Sequence, residues 1–129
     1  MVDSGLRLSY VGGMKNLETM ASRLEALGNP TRLAIYQLLV RAGDDGKSVG
    51  TIQSALSIPA STLSHHLKHL ELVGLIVKLK IGTTHTCTAN YRTMDEVLAF
   101  LTEECCVEAE PAAANDHLAH RLKHGVQPT

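Results

Sequence analysis

The sequence predicts a mainly α-helical fold with one small β-hairpin, arranged as a winged helix-turn-helix domain. Three observations lead to this prediction. Apolar residues recur at helical spacing in successive segments. A short third helix is followed by a tight turn, "SIP", and then by a helix with one polar face. Two runs with strand-like composition come next, and this order of elements is that of a winged helix-turn-helix domain.

Length and composition indicate one small globular domain. The chain has 129 residues, of which 44% are hydrophobic and 19% are charged. With one Phe, three Tyr and no Trp, its core must be built from Leu, Ile, Val, Ala and Met. Because a small domain of this kind buries limited surface, we expect dimerisation to add stability.

Charge is distributed unevenly along the chain, although the net charge is only −1. Residues 15–92 carry nine Lys and Arg against five Asp and Glu, whereas residues 93–129 carry two against seven. The basic middle indicates contact with an anion. The longest apolar run, "LAIYQLLV", is too short to cross a bilayer and no secretion signal is present, so we expect a cytoplasmic protein without a membrane partner.

Three helices are predicted before the turn. The first covers residues 14–27, and the second covers residues 30–42 with Asn29 as its cap. The second helix is so apolar that it belongs in the core. "GDDGK" is predicted to be a loop, and Ser48 to cap a third helix that ends near Leu56. The inward face of the first helix is predicted to contain Leu17, Met20, Leu24 and Leu27.

The fourth helix is predicted to run from Ala60 to Val73 and to end at Gly74. At 100° per residue, it has an apolar face and an opposite polar face. Hydroxyl, imidazole and ammonium groups on one helix face suit the major groove of DNA, where they reach base edges and phosphates. The apolar face consists of Ala60, Leu63, Leu67 and Leu70, and the polar face of Ser61, Ser64, His65 and Lys68, with Thr62 and His69 at its margin.

Two adjacent histidines on this helix could be taken for metal ligands. Neighbouring residues of a helix diverge by 100°, so His65 and His66 cannot easily share one ion. We expect His65 to face outward and contact DNA. His66 leans toward the apolar side, and we expect it to be half-buried and to link helices.

A hairpin and a last helix complete the predicted fold. Strands at residues 75–80 and 84–91 are joined by "IGTT", and the helix covers residues 94–106. Lys78 and Lys80 on the first strand would attract phosphates of any sequence. Their alternative role is that of solvated strand charges.

A resemblance to a known family is carried, in this order, by "LEALGNPTRLAIYQLL", "STLSHHLKHLELVGLI" and a hairpin ending in "YR". The chain resembles the ArsR/SmtB family of arsenic-repressor-like winged-helix regulators, which respond to metals or metalloids. The resemblance implies a homodimer through the first and last helices that binds double-stranded operator DNA and releases it when an effector binds. Two-fold symmetry then requires an inverted repeat. The resemblance covers residues 14–106. This leaves a flexible tail at residues 1–13 and a second tail at residues 107–129, which is first acidic and then contains histidines.

Departures from the family exclude several effector sites. The third helix reads "KSVGTIQ", which lacks the Cys-x-Cys of the best-known metalloid sensors. The last helix reads "TMDEVLAFLTEECC", which lacks the histidine of the zinc sensors. The second helix, "LAIYQLLVRA", lacks the thiol that persulfide and redox sensors pair with one in the last helix.

Cys105 and Cys106 remain as the candidate metal ligands. Two adjacent thiols can bind one soft ion, and As(III) or Sb(III) is the favoured inducer, with Cd, Hg or Pb also possible. A disulfide within the pair would be strained. On a last helix reaching Cys106, Cys105 would share the apolar face of Val97 and Leu101. The alternative is that both cysteines only pack.

The third ligand stays open at this point. Candidates are Cys87 in the wing, a thiol of the second subunit, hydroxide or an exogenous thiol, and His117. The tail also spaces His117, His120 and His124 as a helical metal site would, although a solvated tail is the preferred interpretation.

The sequence therefore predicts a transcriptional repressor that needs no cofactor to bind DNA and releases its operator when a soft ion binds the cysteine pair. Two alternatives are a thiol-based redox or persulfide sensor and an effector-independent DNA-binding regulator. We expect no enzyme, because no phosphate loop, Cys-x-x-Cys or nucleophile and base accompany the thiols.

Overall fold

The computed structural model describes residues 14–109 and confirms the predicted winged helix-turn-helix. Two compact units are distinguished, one through Val97 and one from Leu98 onward. No helix among the described residues is long and apolar enough to span a membrane. The elements are α1 (Met14–Leu27), α2 (Pro30–Ala42), a 3-10 helix (Gly43–Asp45), β1 (Lys47–Ser48), α3 (Val49–Leu56), α4 (Ala60–Leu72), β2 (Ile76–Ile81), β3 (Thr84–Ala89) and α5 (Tyr91–Thr102).

Side-chain caps start α2 and α3 where the sequence predicts them. The Asn29 side chain accepts a hydrogen bond from the backbone N–H of Arg32 at 3.0 Å, and Pro30 occupies the first turn. The Ser48 hydroxyl accepts one from the N–H of Thr51 at 3.1 Å. Each cap satisfies a backbone donor that the first turn of a helix leaves without a partner.

The turn between α3 and α4 fixes the helix-turn-helix. Ser57 ends α3 in the left-handed region, with φ 52° and ψ 47°, and its N–H donates to the carbonyl of Gln53 at 2.8 Å. Pro59 then precedes α4 in an extended conformation. Only three residues therefore separate α3 from α4, the short connection of a helix-turn-helix.

The hairpin belongs to a three-stranded antiparallel sheet in the order β1-β3-β2. Its strands are shifted slightly from prediction, because Ile81 pairs with Thr84 and leaves only Gly82 and Thr83 in the turn. Gly82 has a φ of 65°, as the first position of a type II′ turn requires. The sequence did not predict the short strand β1, which consists of the last residue of the "GDDGK" loop and the cap residue Ser48. This strand pairs with Cys87 and Thr86 of β3.

The core lies among α1 to α4 and the sheet. The predicted inward residues Leu63, Leu67 and Leu70 of α4 are buried, but Ala60 is exposed. Helix side chains lean toward the N-terminus, so that of Ala60 leans past the start of α4 rather than over the core. The buried cluster comprises Ala26, Ile35, Tyr36, Leu39, Ile52, Leu63, Leu67, Leu70, Leu75, Ile76, Cys87 and Ala89.

The inward face of α1 is only partly as predicted. Met20 is buried and Leu17 and Leu27 are half-buried, but Leu24 is 37% exposed. The buried face is centred on Arg23, between Met20 and Ala26, which turns Leu24 about 100° away from the core. Arg23 donates to the carbonyl of Val73 at 3.2 Å and pairs with Glu96 at 2.9 Å.

The last helix starts earlier than predicted. It begins at Tyr91 rather than Met94, because the Asn90 side chain accepts a hydrogen bond from the N–H of Thr93 at 3.3 Å and so acts as its cap. The Tyr91 hydroxyl donates to the carbonyl of Val40 at 2.9 Å. That bond holds the start of α5 against the end of α2.

The last helix also ends earlier, at Thr102 instead of Cys106. The Thr102 hydroxyl donates back to the carbonyl of Leu98 at 3.0 Å, and two glutamates follow, whose charge is unfavourable at a helix C-terminus. Residues 103–108 form turns. The predicted place of Cys105 on the apolar face of this helix is therefore wrong.

Candidate nucleic-acid interface

The predicted DNA-reading residues lie together on the exposed face of α4. Ser61, Thr62, Ser64, His65 and Lys68 are all exposed, opposite the buried leucine stripe of the same helix. The apolar side fixes the rotation of α4 on the core, and this rotation presents the polar side outward. Among residues 14–109, none of these five side chains is engaged in a hydrogen bond or an ion pair.

The start of α4 also offers backbone donors. Pro59 is the N-cap residue and supplies no side-chain hydrogen bond, so the first N–H groups of the helix have no side-chain partner. Groups of this kind bind phosphate, and the helix dipole favours an anion there. The Ser61 and Thr62 hydroxyls lie in the same first turn.

The two adjacent histidines have different environments, as predicted. His65 is exposed, whereas His66 is half-buried with its Nδ1 atom 3.4 Å from Nη1 of Arg32. Their rings meet edge to face with centroids 5.9 Å apart, and the Nδ1 atom of His66 is directed at Arg32. Burial, followed by the charges of Arg32, His65 and His69, lowers the pKa of His66 below its ordinary value.

Sequence reasoning missed Arg32, a buried guanidinium beside the recognition helix. Its Nε donates to the carbonyl of Ala26 at 2.6 Å, and its Nη2 lies 3.6 Å from a carboxylate oxygen of Glu25. The available signal was a cation near the start of a mostly apolar helix. Such a charge is rarely buried without partners.

The wing lysines share one face of β2, because they are two residues apart. Lys78 is half-buried opposite Cys87, and Lys80 is exposed opposite His85. Only Lys80 thus has the exposure expected of a phosphate contact. The other face of the hairpin exposes Val77, Leu79 and Ile81.

The cysteine pair lies beyond α5. Cys105 is exposed and Cys106 is half-buried, with their sulfur atoms 3.4 Å apart. Cys106 has a φ of 62°, and the N–H of Cys105 donates to the carbonyl of Thr102 at 2.9 Å. The thiol-thiol hydrogen bond from Cys105, followed by weaker burial effects, raises the pKa of Cys106.

The third cysteine is part of the core. Cys87 is fully buried in β3, and burial raises the pKa of its thiol. Within the described range, no group of three or more His, Cys, Asp or Glu could hold a metal ion. The tail histidines at positions 117, 120 and 124 lie outside the described residues.

Comparisons with known proteins identify the helix-turn-helix. A family model described as a helix-turn-helix domain matches residues 27–78, which include α3, the turn and α4. An uncharacterized HTH-type transcriptional regulator of Methanocaldococcus jannaschii is 39% identical over 70 residues, covering 54% of this chain and 76% of the relative.

Two solved structures share the fold. HlyU from Vibrio cholerae N16961 is 30% identical, with a TM-score of 0.55, over 71% of this chain and 97% of that one. An ArsR family transcriptional regulator is 28% identical, with a TM-score of 0.60, over 67% of this chain and 87% of that one. These relatives are transcriptional regulators or share the fold of one, in agreement with the expectation that the chain is no enzyme.

Proposed function

Since the chain belongs to the HTH-type transcriptional regulators and is similar in structure to an ArsR family regulator, we propose that it is a cytoplasmic repressor of the ArsR family. It binds an inverted-repeat operator as a homodimer and releases it when arsenite or antimonite binds. The observation that carries the DNA-binding part is the exposed polar face of α4, held outward by a buried leucine stripe. Serine, histidine and lysine on that face supply the donors and acceptors that read base edges.

Exposed apolar side chains support the dimer. Leu98 and Leu101 on α5 are 54% and 56% exposed, and they are three residues apart, on one helix face. Leu24 on α1 is 37% exposed. Exposed apolar side chains mark interaction sites, so each of these two helices is, taken by itself, a proposed contributor to the dimer interface.

The spacing of the thiols supports a soft metalloid as inducer. Sulfur atoms 3.4 Å apart subtend about 95° at an ion bound through two bonds of about 2.3 Å. This angle is smaller than the roughly 109° of a tetrahedral zinc site. It suits the pyramidal thiolate coordination of As(III) and Sb(III).

The proton balance of the two kinds of ion favours the same choice. A cation such as Cd²⁺ must displace the thiol protons, so its apparent affinity decreases as the thiol pKa rises. Neutral arsenous acid instead exchanges two As–O bonds for two As–S bonds. Each departing hydroxide takes a thiol proton and leaves as water, so no proton is released.

The third ligand of the proposed metalloid site is one of the candidates that the sequence offers. Because Cys87 is fully buried, it would have to leave the core to bind an ion. A thiol of the second subunit, hydroxide or an exogenous thiol would require no such change, and His117 lies outside the described residues. The two thiols alone already select a soft ion.

Operator binding in the presence of candidate effectors tests the proposal. The operator is selected from a random duplex library, and fluorescence anisotropy follows its release by arsenite, antimonite, Cd²⁺, Pb²⁺ and Zn²⁺, and then by persulfide and peroxide. We expect arsenite or antimonite to release DNA at the lowest concentration. Release only by persulfide or peroxide would favour the redox alternative, and the absence of any release would favour an effector-independent regulator.

Substitutions on the α4 face test the reading helix. Ser64→Ala or His65→Ala is expected to weaken operator binding by about 1 to 3 kcal/mol, the value of a base contact, with much less effect on unrelated DNA. Ser22→Ala, an exposed serine on α1, is the matched control and should bind as the parent does.

Lys80→Ala should act differently, since a phosphate contact carries no sequence information. It should weaken binding to the operator and to unrelated DNA by the same factor. It should also reduce the slope of log affinity against log salt by the contribution of about one phosphate contact. If Ser64→Ala, His65→Ala and Lys68→Ala all fold and keep the parent affinity, α4 is not the reader.

A further inference from the structure

One guanidinium joins three helices beside the proposed reading face. Arg32, near the start of α2, donates to the carbonyl of Ala26 at 2.6 Å and so satisfies a carbonyl near the end of α1. Its Nη1 atom lies 3.4 Å from His66 of α4. Arg32 is only 8% exposed, so it can neither move freely nor exchange these partners for water.

The chemistry of this contact fixes the charge of His66. A guanidinium has donors and no acceptor. The Nδ1 atom of His66 must therefore accept the hydrogen bond, which requires a neutral ring with its proton on Nε2. A protonated His66 would have only donors, and its contact with Arg32 would become a repulsion between two cations.

Three other titratable groups face this junction. His65 lies beside His66 on α4, with ring centroids 5.9 Å apart. His69, one turn further along α4, places its Nε2 atom 3.1 Å from a carboxylate oxygen of Glu25 on α1. Protonation of His69 strengthens its pairing with Glu25, so only the Arg32 contact weakens as His66 is protonated.

We propose that Arg32 and His66 are positioning residues that hold α4 in its DNA-reading orientation, and that they do so only while His66 is neutral, so that operator affinity falls when His66 takes up a proton. This inference rests on the proposed role of α4 as the reading helix. Neither side chain needs to touch DNA for this effect.

The direction of the pH dependence follows from the contact. Burial and the neighbouring cations hold the pKa of His66 below its ordinary value, which is about 6.5. The contact is intact at neutral pH and is lost as the pH falls through this lowered pKa. Protonation of exposed His65 adds a positive charge near DNA and has the opposite effect, so the two histidines must be separated by substitution.

His66→Asn separates them, because the asparagine Oδ1 atom can take the place of Nδ1 and does not titrate. In the full chain, the operator affinity of His66→Asn at each pH is expressed relative to its own value at pH 7.5, because His66 is itself a proposed positioning residue. Between pH 7.5 and 5.5, the parent should lose more operator affinity than the variant. The extra loss reaches about ten-fold for each unit by which the His66 pKa in the DNA-bound protein lies below that in the free protein. His65→Asn removes the opposing charge, so between pH 7.5 and 5.5 it should lose at least as much affinity as the parent, each relative to its own affinity at pH 7.5.

A measurement without DNA makes the result independent of the reading helix. Nuclear magnetic resonance titration of the His66 ring in the free protein should give a pKa that rises when Arg32→Gln removes the neighbouring charge, and circular dichroism confirms that the variant is folded. Equal pH dependence of operator binding in parent and His66→Asn would overturn the proposal, as would an unchanged His66 pKa in folded Arg32→Gln. If the parent binds no operator at any pH while the titration shows the shift, the DNA-reading role has failed and the Arg32–His66 contact stands.

Discussion

Alanine in place of Gly46 is expected to lower the free energy of unfolding by about 2 to 5 kcal/mol. Of this loss, about 1 to 2 kcal/mol comes from placing a Cβ atom on a residue with positive φ. Another 1 to 3 kcal/mol, roughly, comes from displacing the neighbouring atoms. Gly46 has a φ of 67°, and a Cβ there would overlap the carbonyl oxygen of Cys87 and lie 2.7 Å from Cγ2 of Thr88. The first obstacle is backbone of the central strand, which cannot rotate away. Urea unfolding followed by circular dichroism measures the loss.

Two other glycines serve as controls for this substitution. Gly82 has a φ of 65° but no neighbour within 4 Å of an added Cβ, so Gly82→Ala should cost only about 1 to 2 kcal/mol. Gly50, inside α3, also has open space, and Gly50→Ala should stabilise by about 0.5 to 1 kcal/mol. Equal losses for Gly46→Ala and Gly82→Ala would show that the close approach to β3 costs nothing.

Serine in place of Cys105 or Cys106 is expected to abolish the response to arsenite and antimonite while leaving operator binding intact. The parent should lose about 5-fold to 150-fold in operator affinity when the ion binds, the usual range of coupling between two sites. Each serine variant should lose almost none, because a hydroxyl keeps the shape of the thiol without the sulfur that a soft ion selects. Anisotropy measures release, and the ultraviolet sulfur-to-metal bands measure binding.

Cys87→Ala is the matched control for the cysteine pair. It removes the buried thiol without placing a hydroxyl in the core, and it should release DNA as the parent does. If both serine variants release DNA on ion addition as the parent does, the pair is not the sensor. The sensing site must then be sought among His117, His120 and His124.

Much of the fold could be predicted because local signals determine it. Asn29 and Ser48 cap α2 and α3 within three residues of their own position, so sequence neighbours are enough to place both helix starts. The apolar spacing of Leu63, Leu67 and Leu70 likewise fixes which side of α4 is exposed. The outward placement of His65 and the partly buried placement of His66 follow from that single rotation.

The features that were missed depend on distant partners. Arg32 also contacts His66, 34 positions away, and an arginine in the sequence gives no indication of that contact. Strand β1 exists only because Lys47 pairs with Cys87. The end of α5 had no glycine or proline to mark it. The end of this helix depends instead on the Thr102 hydroxyl and the glutamates after it. Their effect on a helix is small, so the helical spacing of the apolar residues outweighed it in the prediction.

The position of β2 in the sheet has a consequence for solubility. In the order β1-β3-β2 it is an edge strand, and its outward residues Val77 and Leu79 are apolar, a composition that invites another copy to add a strand and begin aggregation. Lys78 and Lys80 alternate with them. A second β2 strand laid alongside would bring these like charges together, which opposes the pairing. Lys80, proposed to attract phosphate, would thus act together with Lys78 to prevent DNA-free copies from associating through their wings.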